Sequence, residues 1–149
     1  VSDYGSPDSS LTEAEWAWCA GLFEGEGCIT FEAKTAIRLA INMTDRDVPE
    51  RLDSLWPSPG GVRLMRMTEA ERPKPMWHWR ISSRDRVRGF LIGIYPWLGA
   101  RRRARADEAM KRLGGNPGKD HCNRGHALTG SNIEVRRGVR RCLLCEATR

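Results

Sequence analysis

Residues 16–28 read Trp-Ala-Trp-Cys-Ala-Gly-Leu-Phe-Glu-Gly-Glu-Gly-Cys, and no other stretch limits the fold as strongly. Ala20, Gly21, Gly25 and Gly27 put small residues where an ordinary surface helix carries bulk. Gly21 and Gly25 are four apart, so they share one helical face. Each glycine costs a helix about 1 kcal/mol relative to alanine. A cost of that size points to a second backbone approaching closely along that face. Glu24, Glu26 and Gly27 follow, so the helix ends on a carboxylate. The expectation is a seam between two copies of the chain, with Ala20, Gly21 and Gly25 in the interface and a metal ligand at its end.

The flanking pattern supports a sheet with one wet face. Ser10 with Glu13, or Thr12 with Glu15, makes a capping box that opens a helix over about 12–26. Ile29, Phe31 and Ala33 then alternate with Thr30, Glu32 and Lys34. Ile37, Leu39, Ile41 and Met43 alternate with Arg38, Ala40, Asn42 and Thr44. A period of two with one polar side predicts a half-buried antiparallel pair. Val48, Leu52, Leu55 and Trp56 return at helical spacing until Pro57 and Pro59. A second strand pair is expected at 62–66 and 76–82, around a turn at 71–75. A helix over 87–94 stops at Pro96, and a basic helix runs from about 99 to 113. The predicted class is α+β, in the order αββαββα, with an antiparallel sheet.

Residues 1–11 read as a loose tail and Gly114-Gly115-Asn116-Pro117-Gly118 as a linker, which leaves a main domain at 12–113. Residues 119–149 are too few to bury a core. They hold Cys122-x3-His126, a 15-residue gap and Cys142-x2-Cys145. Four soft ligands in two clusters predict a tetrahedral structural zinc whose binding supplies the folding energy. His121 is an alternative to His126, although its adjacency to Cys122 makes joint ligation awkward. Cys19 and Cys28 stand apart from this set and read as small buried residues. An odd total of five Cys argues against a disulfide framework.

Charge narrows the partner. Residues 1–26 carry six acids and no Lys or Arg, whereas residues 27–149 carry 25 basic and 13 acidic residues, a balance of +12. A basic body with Arg clusters suits a polyanion. No apolar run nears the roughly 18 residues of a membrane span, and no signal peptide is visible. The expectation is a soluble intracellular protein, cytoplasmic or nucleoid-associated.

Residues 19–27, Cys-Ala-Gly-Leu-Phe-Glu-Gly-Glu-Gly, align without a gap to the nine-residue motif of the LAGLIDADG homing endonucleases, and the chain resembles that family over about residues 12–113. Ala20, Gly21, Leu22, Glu24, Glu26 and Gly27 match by type, while Cys19 replaces Leu. One copy of the motif implies a homodimer on double-stranded DNA. The resemblance assigns the catalytic Mg²⁺ to Glu26, with the Gly27 carbonyl nearby. Pro96-Trp97-Leu98 and the following basic run also resemble the family. The family's catalytic-pocket Lys then falls at Arg101, with Arg102 and Arg103 as alternatives that otherwise touch DNA backbone. The polar residue after the second strand falls at Thr44 or Asp45. The segment Cys-Asn-Arg-Gly-His-Ala-Leu-Thr-Gly-Ser-Asn, residues 122–132, is similar to zinc-binding segments of phage-type HNH-superfamily endonucleases.

The chemistry expected of such a chain is phosphodiester hydrolysis. Mg²⁺ prefers carboxylate oxygens, and two Glu26 side chains meeting at a two-fold axis would supply them. Thr30, Lys34, Arg38, Asn42, Arg63, His78 and Arg80 would line the wet sheet face, where Arg pairs with guanine and Asn with adenine. Trp77 and Trp79 alternate with that set and are assigned to the core. Arg136, Arg137, Arg140 and Arg141 would extend the footprint from the zinc module. A non-cleaving DNA-binding regulator or RNA-splicing cofactor on the same fold is the rival reading. A zinc hydrolase is disfavoured, because four protein ligands leave no open position.

Overall fold

In a computed structural model, residues 4, 7–34, 36–65, 74–113, 121–128, 130–137 and 139–148 are described. The expected linker at 114–118 and most of the turn at 71–75 lie outside them. The chain is α+β. Helix α1 spans Glu13–Glu26, strands β1 Gly27–Phe31 and β2 Ile37–Met43, and helix α2 Asp47–Leu55. Strands β3 Arg63–Leu64 and β4 Trp77–Ile81 come next, then helices α3 Arg84–Ile94 and α4 Ala100–Leu113. A short hairpin, β5 Ile133–Arg136 and β6 Val139–Cys142, leads into the five-residue helix α5, Leu143–Ala147. No helix among the described residues is long and apolar enough to cross a membrane.

Of the two capping boxes open in the sequence, the one formed is Thr12–Glu15. The Thr12 hydroxyl accepts from the Glu15 N–H at 3.1 Å, and the Glu15 carboxylate accepts from the Thr12 N–H at 2.9 Å. The tail is anchored where it is described. Tyr4 packs edge-on against Tyr95 and donates to Asp107, Leu11 is buried, and the Asp8 carbonyl accepts from the Trp16 indole. Aromatic contact with the core, which the reading of 1–11 as a loose tail left out, makes the difference.

The main sheet is antiparallel in the order β1-β2-β4-β3. Its register places Thr30 opposite Arg38, Asn42 opposite His78, and His78 opposite Arg63. The other face carries Ile29, Ile37, Leu39, Ile41, Trp79 and Ile81, all buried. The helices cover that face. Trp16, Trp56, Phe23, Phe90 and Trp79 form one aromatic cluster between helices and sheet. The indole of Trp79 donates to the Trp56 carbonyl at 3.0 Å, so its buried N–H is satisfied. Trp77 is only half-buried, under the Arg46 guanidinium.

Two glycines are required by close approach. A Cβ on Gly93 would stand 2.3 Å from the Trp16 ring, so α3 crosses α1 only because that side chain is absent. A Cβ on Gly27 would meet the Phe23 ring at 2.4 Å, which explains a glycine where α1 turns into β1.

Candidate nucleic-acid interface and metal centre

The seam expected along α1 divides in two. Gly21 and Gly25 are exposed with open space beyond them, and the half-buried Trp18 and Leu22 flank that stripe. Beside it runs a cleft of about 540 Å³ lined by Trp18, Gly21, Leu22, Met43, Asp47, Val48 and Arg51. Ala20 does not belong to that face. It is fully buried with Trp16, Cys19 and Phe23, because one residue of rotation, about 100°, carries it onto the core side. The assignment of Ala20 to the interface is therefore corrected.

The two acids at the end of α1 have different surroundings. The Glu24 carboxylate accepts from the Gly99 N–H at 3.1 Å, one residue before α4. Arg102 donates to the Glu24 carbonyl at 3.3 Å. Glu24 thus ties two helix ends together. Glu26 is exposed and has no partner among the described residues. It sits at the negative end of the helix macrodipole with no basic residue in the last turn, an arrangement that disfavours an acid by about 0.3–1 kcal/mol. Folding gains nothing from that carboxylate. A lone Glu26 also cannot enclose an ion within one chain.

The basic run opening α4 is mostly committed internally. Arg103 donates to the Pro96 carbonyl at 2.7 Å and the Tyr95 carbonyl at 3.3 Å. Arg102 is held by Glu24, and Arg105 donates to the Ile29 carbonyl at 3.0 Å while stacking on Phe31. Arg101 is exposed and has no such tie among the described residues. Arg102 therefore braces the junction of α1 and α4, and Arg103 the turn that leads into α4. Thr44 and Asp45 are both exposed just beyond β2.

The wet sheet face gathers Thr30, Arg38, Asn42, His78, Arg80 and Arg63 through the pairing above. Lys34 is not on a strand; it lies exposed in the β1–β2 turn, because β1 ends at Phe31. Cys28 also shares this face, against the expectation of burial. It is exposed, with Sγ 3.4 Å from Thr30 Oγ1. Strand alternation from Gly27 onward puts it outward. Cys19 is buried as expected, and burial pushes its thiol up to about 12. Burial, then Arg80, Arg63 and Arg38, hold the His78 imidazole below its ordinary value. The face is positive enough to disfavour one more cation.

The four ligand atoms of Cys122, His126, Cys142 and Cys145 lie within 4.8 Å of one another and can hold a metal ion. Their spacing fits a tetrahedron. His126 Nδ1 stands 3.4, 3.6 and 3.3 Å from the sulfurs of Cys122, Cys142 and Cys145, and Cys122 and Cys145 are 3.7 Å apart. A zinc ion with bonds of about 2.3 Å to sulfur and 2.0–2.1 Å to nitrogen sets those separations at about 3.5 and 3.8 Å. His121 lies outside the cluster, bridged to Ala127. The local turn is built for ligation. Gly125, at a φ of 83°, donates to the Cys122 carbonyl, and the His126 N–H points at Cys122 Sγ at 3.3 Å. Burial, then Cys122 and Cys142, push the Cys145 thiol up to about 11. Only a cation between the three sulfurs would let all of them ionise together.

Sequence reasoning missed Asn132. Its amide donates to the Ala127 carbonyl at 2.7 Å and to Cys142 Sγ at 3.4 Å, and its carbonyl accepts from the Leu144 N–H at 2.9 Å. One side chain thus ties both halves of the ligand set; only its place between the two Cys clusters hinted at this.

The four hairpin arginines do not form one surface. Pairing of Glu134 with Arg141 and Val135 with Arg140 puts Arg140 on the opposite face from Arg141. Arg140 turns inward, 3.5 Å from Asp85 on α3 and largely covered. Arg141 faces Glu146 at 3.4 Å, Arg136 is exposed, and Arg137 occupies the turn at a φ of 50°. Arg140 is accordingly a docking residue and not an outward DNA contact. A cleft of about 500 Å³ separates the hairpin from α3 and Pro7–Ser9.

No family model, curated protein or solved structure matches this chain.

Proposed function

We propose that this chain is a DNA-binding endonuclease of the LAGLIDADG type, acting as a homodimer on a long, roughly palindromic duplex site. The observation that carries the reading is the face shared by Arg38, Asn42, Arg63, His78 and Arg80. These residues lie in register on an antiparallel sheet whose other side is core. A basic antiparallel ribbon of that kind fits a major groove. Two further features support it. The open Gly21/Gly25 stripe leaves room for a second α1, and Glu26, which serves no internal contact, stands at the end of that stripe.

In the dimer, the two Glu26 carboxylates would hold Mg²⁺, which would supply charge to the scissile phosphates and an activated water. Arg101, the untied arginine of the basic run, offers charge to a phosphate and is a poor proton carrier. Zn²⁺ at the Cys₃His cluster is structural, because all four positions are taken. The test is cleavage of a plasmid library with Mg²⁺. Glu26→Gln keeps the shape and removes the charge, so cutting is lost while binding stays. Gly25→Leu fills the stripe and gives monomers on sedimentation. Binding without cutting by the wild type favours the rival reading of a non-cleaving regulator, to which Arg101 in place of lysine also points. Cutting by Glu26→Gln at the wild-type rate removes Glu26 from the chemistry.

A further inference from the structure

The open edge of the sheet holds a cleft of about 170 Å³ lined by Pro59, Gly61, Arg63, His78, Arg80 and Ser82. It is the smallest of the clefts described and differs from the open ribbon beside it in having walls. One wall is the Pro59–Gly61 turn, where Gly60 and Gly61 take φ of 80° and 72°. The Arg63 guanidinium lies against Gly60 so closely that a Cβ there would stand 2.0 Å from Nη2. The turn therefore holds Arg63 over the cleft.

The cations here are not neutralised by neighbours. Arg38 on β2 is paired with Glu32 at 2.6 Å. Asp53 on α2 is engaged by the N–H and hydroxyl of Ser58. Arg63 and Arg80 have no carboxylate partner among the described residues. Between them stands His78, whose Nδ1 is buried without a hydrogen-bond partner among those residues. Protonating Nδ1 would bury a donor that has no acceptor, so the neutral ring carries its proton on Nε2.

We infer that this cleft is a backbone-phosphate site, in which Arg63 and Arg80 clamp one phosphodiester of the nucleic acid and His78 adds a hydrogen bond. The inference rests on the nucleic-acid reading above and changes it in one respect. These three side chains fix the register of the duplex, while Asn42 and Thr30 remain as base readers. A compact, walled, doubly cationic site suits a phosphate better than a base edge, which is met across an open surface. The neutral ring that burial, Arg80, Arg63 and Arg38 favour already offers its Nε2–H, so this hydrogen bond needs no proton uptake.

The test uses the full zinc-loaded chain and duplexes of several sequences. Affinity is measured against salt concentration, and the His78 ring resonances are followed by NMR with and without duplex. Arg80 is exposed, so Arg80→Ala should fold. It is expected to weaken all duplexes alike, about fivefold at 0.15 M salt, and to reduce the slope of log K against log salt by about 0.9. Arg80→Lys should restore both, and duplex should shift the His78 Nε2–H resonance in the wild type. An Arg80→Ala effect confined to some sequences, with the slope unchanged, overturns the phosphate site and leaves DNA binding intact. Wild type that binds no duplex overturns both readings. A His78 shift with inorganic phosphate but none with duplex identifies a free-anion pocket and likewise overturns the assignment to nucleic acid.

Discussion

The body up to Leu113 and the segment after residue 120 are held together by different physics. In the body, more than twenty apolar side chains from Leu11 to Leu113 are buried in one cluster. Between residues 121 and 148 no described residue is buried, and Leu143, Leu144 and Val135 are exposed. Dozens of weak contacts over a large apolar area hold the first region, whereas the second sets four side chains where one metal ion could do that work. The first arrangement tolerates loss of any one contact at modest cost. The second has no fallback. The two regions also meet, through Arg140 and Asp85, so the module has a preferred seat on α3.

Removing the metal should break this comparison most visibly. Structural zinc contributes about 10–16 kcal/mol to the folding of small modules. Chelation is expected to unfold residues 121–148 and leave the thermal transition of the body within a few degrees, about the span of 1 kcal/mol. Thiol labelling reads this directly. With zinc bound, Cys28 alone should react, because Cys19 is buried and the other three are ligands. After chelation Cys122, Cys142 and Cys145 should react as well, and Cys19 only on denaturation. Simultaneous loss of both regions would show that they are one cooperative unit.

The converse experiment overpacks the core. Gly93→Ala places a methyl into the Trp16 ring and should destabilise the body by about 1–3 kcal/mol, read from denaturant midpoints. Zinc affinity should not change. A smaller effect is expected from Asn132→Ala, which removes the link among Ala127, Cys142 and Leu144. Zinc affinity should fall about 10–100-fold, measured by competition with a chelator, while the body transition stays where it is. The smallest is Thr12→Ala, which deletes one half of a capping box and should cost the body about 1 kcal/mol. An equal effect on the module's labelling rate would sharpen the coupling through Arg140 and Asp85.

Much of the body was legible because its signals are local. Strict alternation over 37–43 has only one physical reading, and so does helical spacing up to Pro57. The metal ligands were legible too, since Cys and His spacing is chemistry rather than shape. Faces were less secure. Ala20 and Gly21 are neighbours in sequence, yet one is core and the other open, because a helix turns about 100° between them. Arg140 and Arg141 differ for the analogous reason on a strand. Arg102 and Arg103 looked like free cations until carbonyls of α1 and of Tyr95 and Pro96 were found beside them.

Order along the chain and the strand and helix types were decided by residues acting within a few positions of one another, and the basic balance and the four-ligand set by residue type and spacing alone. Which strand lies beside which required the folded molecule. So did the meeting of Gly93 with Trp16, the pinning of Arg63 by Gly60, and the bridge made by Asn132. Each depends on atoms far apart in sequence or on the angle at which elements cross. Local propensity carries no information about either, because crossing angles come from interlocking side chains on both partners.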